Sequence, residues 1–216
     1  MNNLSSIDVE NPCRFSLSPI WKLQRHYYDS LGVEAWTEHV PFYITSNPVI
    51  AAQYARSMLS FFQDWLLMNP DQADQTFYII ELGTGTGQFS YYVLQALVEL
   101  KKAWGLDHVN FCYVMTDFTQ KNIDYWRQHA AFKDYIDAGI LDFSVFDLEN
   151  DQYIKLQQQN VTITENSLVT PLVAIANYLF DSVLIDVFNI KNQKIEESLV
   201  DLNMSDGDSC LTGLPR

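Results

Sequence analysis

The sequence predicts an α/β fold: a mainly parallel sheet with helices on both faces, preceded by an N-terminal helical extension and followed by a C-terminal β-hairpin. Three observations carry this. From residue 77 onward, short β-branched and aromatic runs alternate with longer amphipathic or polar runs, the rhythm of strand-helix units joined by right-handed crossovers. The first strand-like run enters its helix through "ELGTGTGQ", residues 81–88, with a glycine at every second position. After residue 182 the alternation stops, and two β-rich runs are separated only by Lys191-Asn192-Gln193, a hairpin signal.

Composition sets the outer bounds. A chain of 216 residues with 48% hydrophobic, 14% aromatic and 19% charged residues has material for one packed domain with an appendage. Its formal charge of −14 opposes a phosphate backbone, so no nucleic-acid partner is expected, while the same charge suits a basic protein segment. Cys13, Cys112 and Cys210 are far apart and form no C-x-x-C pair, and His26, His39, His108 and His129 form no cluster, so neither a disulfide framework nor a metal site is expected. No basic stretch followed by an apolar run opens the chain, and no segment approaches 18 uninterrupted apolar residues. A membrane association is therefore not expected, and the cytoplasm is the default compartment.

Residues 1–45 read as an N-terminal extension or lid, with a short helix in "WKLQRHYYDSLGVEAW" ending at Gly32. A domain over 46–202, including a hairpin at 183–202, follows, and 203–216 is a polar tail. The domain opens with "TSNPVIAAQYARSMLSFFQDWLLMNP", where Ser46 or Asn47 can cap a helix with Pro48 at its first position. Ile50, Tyr54, Met58, Phe61, Phe62 and Trp65 form its core-facing stripe, and Asn69-Pro70 ends it. The strand-like runs are "FYIIEL", "NFCYVMTD", "ILDFSVFDL" and "LVTPLVAIAN", the last ending at Asn177. Helix-like runs lie between them: "FSYYVLQALVELKKAW", "FTQKNIDYWRQHAAF" with Thr119 as a cap, and the polar "NDQYIKLQQQN".

In such sheets ligands bind at the carboxyl ends of the strands, beside the switch in strand order. The glycine loop lies at one of those ends. Gln88 stands where the third glycine of a dinucleotide fingerprint would fall, and no G-K-[ST] follows, so neither a nicotinamide dinucleotide nor a phosphate loop matches. Gly83, Gly85 and Gly87 still allow a sharp turn and a close approach of backbone to ligand, with Thr84 between the first two. Glu81 would repel a pyrophosphate and suits an ammonium or sulfonium group. Asp117, ending the second strand, can accept both hydroxyls of a ribose, or it can cap the next helix. Asp147 closes the third strand as an adenine contact or a loop acid. Asn177 offers a donor and an acceptor at the crevice mouth, or stabilises a turn.

An acid followed by G-x-G-x-G at the end of a first strand resembles the first motif of Rossmann-like class I S-adenosylmethionine-dependent methyltransferases. More specifically, "VPFYITSNPVIAAQYARSMLSFFQDW", "ELGTGTGQFSYYVLQAL" with Asp117 30 positions beyond Gly87, and "IANYLFDSV" resemble the MidA-like family, which includes the mitochondrial arginine methyltransferase that assists respiratory complex I assembly. The likeness covers residues 38–190. It implies S-adenosyl-L-methionine as cofactor, held by Glu81, Gly83, Thr84, Gly85, Gly87, Asp117 and Asp147. It implies Asn177 and Asp181 facing the methyl acceptor, and a protein side chain, arginine first, as substrate. The sequence departs from the family's A-N-E-x-F-D-A-L-P pattern by having Tyr178 for the glutamate and no Leu-Pro, and it stops about three strands short of the full class I sheet the resemblance implies, as a truncated chain, an excised domain or a shortened family member would. An assembly protein that keeps the fold without transferring a methyl group is the alternative reading.

Overall fold

The computed structural model describes residues 12–38, 44 and 46–202, so the expected polar tail 203–216, with Cys210, all of residues 1–11, and all of 39–45 but Ile44, with His39, lie outside the described residues. The elements in chain order are β1 (Cys13–Arg14), α1 (Ile20–Leu31), α2 (Glu34–Glu38), α3 (Pro48–Met68), β2 (Thr76–Glu81), α4 (Gln88–Ala103), β3 (Asn110–Asp117), α5 (Gln120–Gln128), α6 (Lys133–Asp137), β4 (Leu141–Val145), β5 (Ile154–Lys155), β6 (Thr162–Ile163), β7 (Val173–Ile175), β8 (Val187–Lys191) and β9 (Lys194–Val200). The described residues divide into two compact units, residues 32–177 and residues 12–31 with 178–202, a boundary that falls inside the 46–202 span. Among the described residues no helix is long and apolar enough to cross a membrane.

The unit 32–177 is built on a four-stranded sheet in the order β4-β3-β2-β7, all neighbours parallel. The four strands in chain order thus run 3-2-1-4, the Rossmann-like arrangement of a doubly wound sheet, with the order reversing between β2 and β7. One face carries Phe77, Ile79, Phe111, Tyr113 and Met115, which close a core with Ala51, Ala55, Met58, Leu59 and Phe62 of α3 and with Phe89, Val93, Leu94 and Leu97 of α4. Phe62 stacks on Phe77 with ring centroids 4.2 Å apart, tying α3 to the first strand of the sheet. Of the expected α3 stripe, Met58 and Phe62 are fully in this core and Ile50, Tyr54 and Trp65 pack at its margin, while Phe61 faces outward. Asn47 is the cap: its Oδ1 accepts from the Ile50 amide at 3.0 Å, and Pro48 follows at the first helical position.

The opposite face holds Ile80, Cys112 and Val114 against Ile154, Leu156 and Ile163. Here the expected polar helix over 150–160 does not form. Ile154 pairs with Ile163 as the short antiparallel ladder β5–β6, and both Ile154 and Leu156 turn inward, two residues apart, which is the strand period. The reason lies in β4. Asp142 is fully buried, and its carboxylate accepts the backbone amides of Gln158 at 2.8 Å and Gln159 at 2.9 Å, groups that a helix would have used internally.

In the other unit, β8 and β9 form the expected antiparallel hairpin, from Val187 opposite Ser198 to Lys191 opposite Lys194. Its turn is two residues, Asn192 and Gln193, both with positive φ, the mirror-image geometry that matches strand twist. β9 also pairs with β1, placing Cys13 opposite Val200 and Arg14 opposite Leu199. Arg14 reaches Glu197 at 3.0 Å. The helix expected to end at Gly32 is α1, and Gly32 has a φ of +59° just past it.

Candidate functional site

The loop between β2 and α4 stands where the strand order reverses. Ile175 of β7 is the register partner of Glu81, and its carbonyl accepts the Leu82 amide at 2.8 Å, so the chain leaves β2 for the glycine loop directly beside the end of β7. Gly83, Gly85 and Gly87 all adopt left-handed backbone, with φ of 63°, 66° and 81°. Thr84 fastens the loop to β3: its amide donates to the Thr116 carbonyl at 3.0 Å and its Oγ1 accepts from the Thr116 amide at 3.2 Å. Trp126 of α5 donates its indole N–H to the Gly85 carbonyl at 3.2 Å.

The missing Cβ atoms have identifiable neighbours. One built on Gly87 would lie 3.0 Å from Met115 Cε, 3.1 Å from Phe132 Cζ and 3.2 Å from Trp126 Cδ1; one on Gly85 would lie 3.3 Å from the Trp36 ring. The room these glycines leave is therefore filled by the chain's own side chains, and Trp36 of α2 is packed against the loop. Sequence reading did not single out Trp36 or Trp126.

Glu81 is turned into the layer between sheet and helices, on the same face of β2 as Phe77 and Ile79. It is 3% exposed; Ser90 of α4 donates to its Oε2, and the Tyr113 hydroxyl donates to the same oxygen at 2.9 Å. Burial pushes its carboxyl up to about 7, against the lowering effect of the Ser90 and Tyr113 hydrogen bonds. The same burial, together with the nearby Glu81, raises the Tyr113 phenol. Ser90 and Tyr113 were likewise not singled out, although the parity of β2 and β3 puts Tyr113 on the Glu81 face.

Asp117 is buried at the end of β3. Its Oδ1 accepts from the Thr119 amide at 3.0 Å and its Oδ2 from Asn122 Nδ2 at 2.9 Å, so the carboxylate is held in one orientation. Capping of α5 falls to Thr119, whose Oγ1 accepts from the Lys121 amide at 3.2 Å. Asp147 lies in the turn after β4, where its Oδ1 accepts from the Glu149 amide at 3.1 Å and its Oδ2 from Asn150 Nδ2 at 2.8 Å. Both of its oxygens thus serve that turn.

Asn177 follows β7 by two residues. Its Oδ1 accepts from the Tyr54 hydroxyl of α3 at 3.1 Å, and its Nδ2 is buried with no hydrogen-bond partner among the described residues. Asp181 belongs to the other unit, where it is exposed and its charge helps, after burial, to raise the Tyr28 phenol. Tyr178, which stands where the resemblance would have a glutamate, has a φ of +49° and is 57% exposed. Within the unit 32–177 the fold therefore gathers the glycine loop, Glu81, Asp117 and Asn177 at the carboxyl ends of β2, β3 and β7.

No curated protein matches the chain. Among solved structures, the native crystal structure of an uncharacterized superfamily protein from Burkholderia thailandensis is similar to it, with 14% sequence identity and a TM-score of 0.43. That alignment covers 89% of this chain and 41% of the Burkholderia chain, so this chain spans about two fifths of the length of the protein it matches. Residues 58–214 match the sequence model of a family described as "Putative S-adenosyl-L-methionine-dependent methyltransferase", a span from the middle of α3 through the whole sheet and hairpin. The matched span is more than half of the chain, and the chain belongs to this family.

Proposed function

We propose that the chain binds S-adenosyl-L-methionine at the β2–α4 loop and transfers its methyl group to a nitrogen of a protein side chain, arginine being the first candidate. The observation that carries the binding reading is the left-handed glycine turn at the switch point of a 3-2-1-4 sheet, with the buried Asp117 carboxylate at the end of the adjoining strand. The residues fit such a ligand. Asp117, oriented by Thr119 and Asn122, accepts paired hydroxyls; Asn177 brings an unsatisfied buried donor to the start of the loop; Asp147 follows the next strand along. When bound, the cofactor supplies a sulfonium methyl: the acceptor lone pair forms the new bond to carbon as the carbon–sulfur bond breaks, its electron pair stays on sulfur, and the nitrogen gives up a proton.

What the chain contributes is alignment, which supplies up to about 7–11 kcal/mol of a barrier when geometry is fixed. Thr84 and Trp126 hold the loop against β3 and α5, and Ser90 with Tyr113 hold Glu81 beneath it. Arginine as acceptor is supported by the resemblance to the MidA-like family and by the acidity of the chain, 27 acidic against 13 basic residues. Tyr178 in place of a glutamate favours a second reading, an assembly or interaction protein that binds the cofactor without transferring the methyl group.

Calorimetric titration tests binding first, and a folded sample that takes up neither S-adenosylmethionine nor S-adenosylhomocysteine overturns the cofactor reading. Incubation of cell lysate with tritiated S-adenosylmethionine then separates the two functions. Protein labelled by wild type and not by Asp117→Asn supports transfer; cofactor binding without any labelled protein supports the second reading.

A further inference from the structure

The Tyr54–Asn177 pair is left over from the machinery described so far, and its two polar ends are treated differently by the fold. The Tyr54 hydroxyl donates to Asn177 Oδ1 at 3.1 Å, while Asn177 Nδ2 is buried without a partner among the described residues. A desolvated amide donor is an uncompensated cost unless a ligand atom meets it. Tyr54 is itself fixed: its ring lies edge-on to Phe89 of α4 at 5.3 Å, with the planes 86° apart. With the hydroxyl donating to Oδ1, Nδ2 is the end of the amide that remains open.

The position of the open donor identifies its partner. Asn177 lies two residues beyond Ile175, whose carbonyl holds the first residue of the glycine loop, Leu82. It stands where the sheet switches direction and where the proposed cofactor would lay its amino-acid end. A donor aimed at the attacking atom would engage the lone pair that has to form the new bond, so Nδ2 is unsuited to the methyl acceptor. It is suited to an anion, because an N–H meeting a carboxylate in a low-dielectric site makes a charge-assisted hydrogen bond. Glu81 does not compete for that anion's place, being turned into the helix layer by Ser90 and Tyr113.

We propose that Tyr54 is a positioning residue that orients the Asn177 amide, and that Asn177 Nδ2 donates to the carboxylate of the cofactor's amino-acid moiety. The pair is then the carboxylate subsite of the crevice, an inference that rests on the cofactor reading above. It moves Asn177 from the methyl acceptor to the cofactor and gives α3, through Tyr54, a part in binding.

Two probes isolate the subsite: S-adenosylhomocysteine, which has the amino-acid tail, and 5′-methylthioadenosine, which lacks it. Calorimetry on the full chain is expected to show Asn177→Ala weakening S-adenosylhomocysteine about tenfold and methylthioadenosine by less than about twofold. Asn177→Asp, which places a charge opposite the carboxylate, weakens the first probe further still and again spares the second. Tyr54→Phe weakens S-adenosylhomocysteine alone, by about threefold or more, and adds nothing once Asn177 is alanine, since it acts only through that amide. Equal losses for the two probes, or no loss for S-adenosylhomocysteine in variants that melt like wild type, overturn the subsite while leaving the cofactor reading standing. A wild-type chain that binds neither probe overturns the cofactor reading, and the subsite with it.

Discussion

Replacing Gly87 by alanine asks whether this glycine is required by its backbone angle alone or also by the core beneath it. Its φ of 81° puts any other residue into left-handed backbone, which costs about 1–2 kcal/mol. The added Cβ would also come within 3.0–3.2 Å of Met115 Cε, Phe132 Cζ and Trp126 Cδ1. The methionine end can swing away, but Trp126 is fully buried with its indole bonded to the Gly85 carbonyl, and Phe132 is 3% exposed, so the rings resist. Overpacking of this kind adds about 1–3 kcal/mol, for a total of about 2–5 kcal/mol. Gly139→Ala is the control, because its φ is 71° and nothing lies within 4 Å of the added carbon. It carries the angular cost of about 1–2 kcal/mol and no more. Urea unfolding followed by circular dichroism reads both variants against wild type. If the two lose the same stability to within about 0.5 kcal/mol, the packing argument for Gly87 is wrong.

Asn47→Ala removes the side-chain acceptor from the first turn of α3 and is expected to cost about 0.5–2 kcal/mol in urea unfolding, with Asn47→Asp recovering most of it; equal losses for both would show that the cap contributes through something other than its acceptor. Glu81 predicts a pH dependence with a definite sign. Its carboxyl holds a proton in the fold up to about pH 7, against an ordinary value of 4.5, so the folded chain binds more protons than the unfolded chain between those values. The contribution of this group is fully present below 4.5 and is lost as pH rises through about 7. Glu81→Gln keeps an acceptor for Ser90 and Tyr113 and removes the titration, so its stability should decline less than that of wild type over this window. Parallel profiles for the two in melts across pH would refute the assignment.

The four sheet strands, the glycine turn, α3, α4 and the hairpin were legible because each is specified by residues near one another in sequence. A β-branched run, a left-handed glycine or a Pro at the first helical position acts within a few residues. The segment 150–160 was not legible in the same way. Its polarity reads as helix, but its backbone amides are taken by Asp142, sixteen positions earlier than the first of them, and only the assembled sheet brings that carboxylate within reach. The pairing of β1 with β9 is hidden for the same reason, since Cys13 and Val200 lie near opposite ends of the chain.

The site divides along the same line. That acids stand at the strand ends can be read directly, and the direction Glu81 faces could also have been read: Phe77 and Ile79 point to the helix layer, so period-two alternation sends Glu81 there too. Its partners could not be read, because Ser90 and Tyr113 reach it from two different elements. Tyr54 is the sharpest case. In sequence it is one ring in an apolar stripe, and its ring does serve the core; its hydroxyl, however, meets Asn177 Oδ1 across 123 positions, and Nδ2 is the end of that amide left open. Periodicity reports the face a side chain shows to the core and is blind to where its polar tip ends. Positions where a large amphipathic side chain borders a strand end at the switch point are therefore where a sequence of this fold conceals site residues inside its packing pattern.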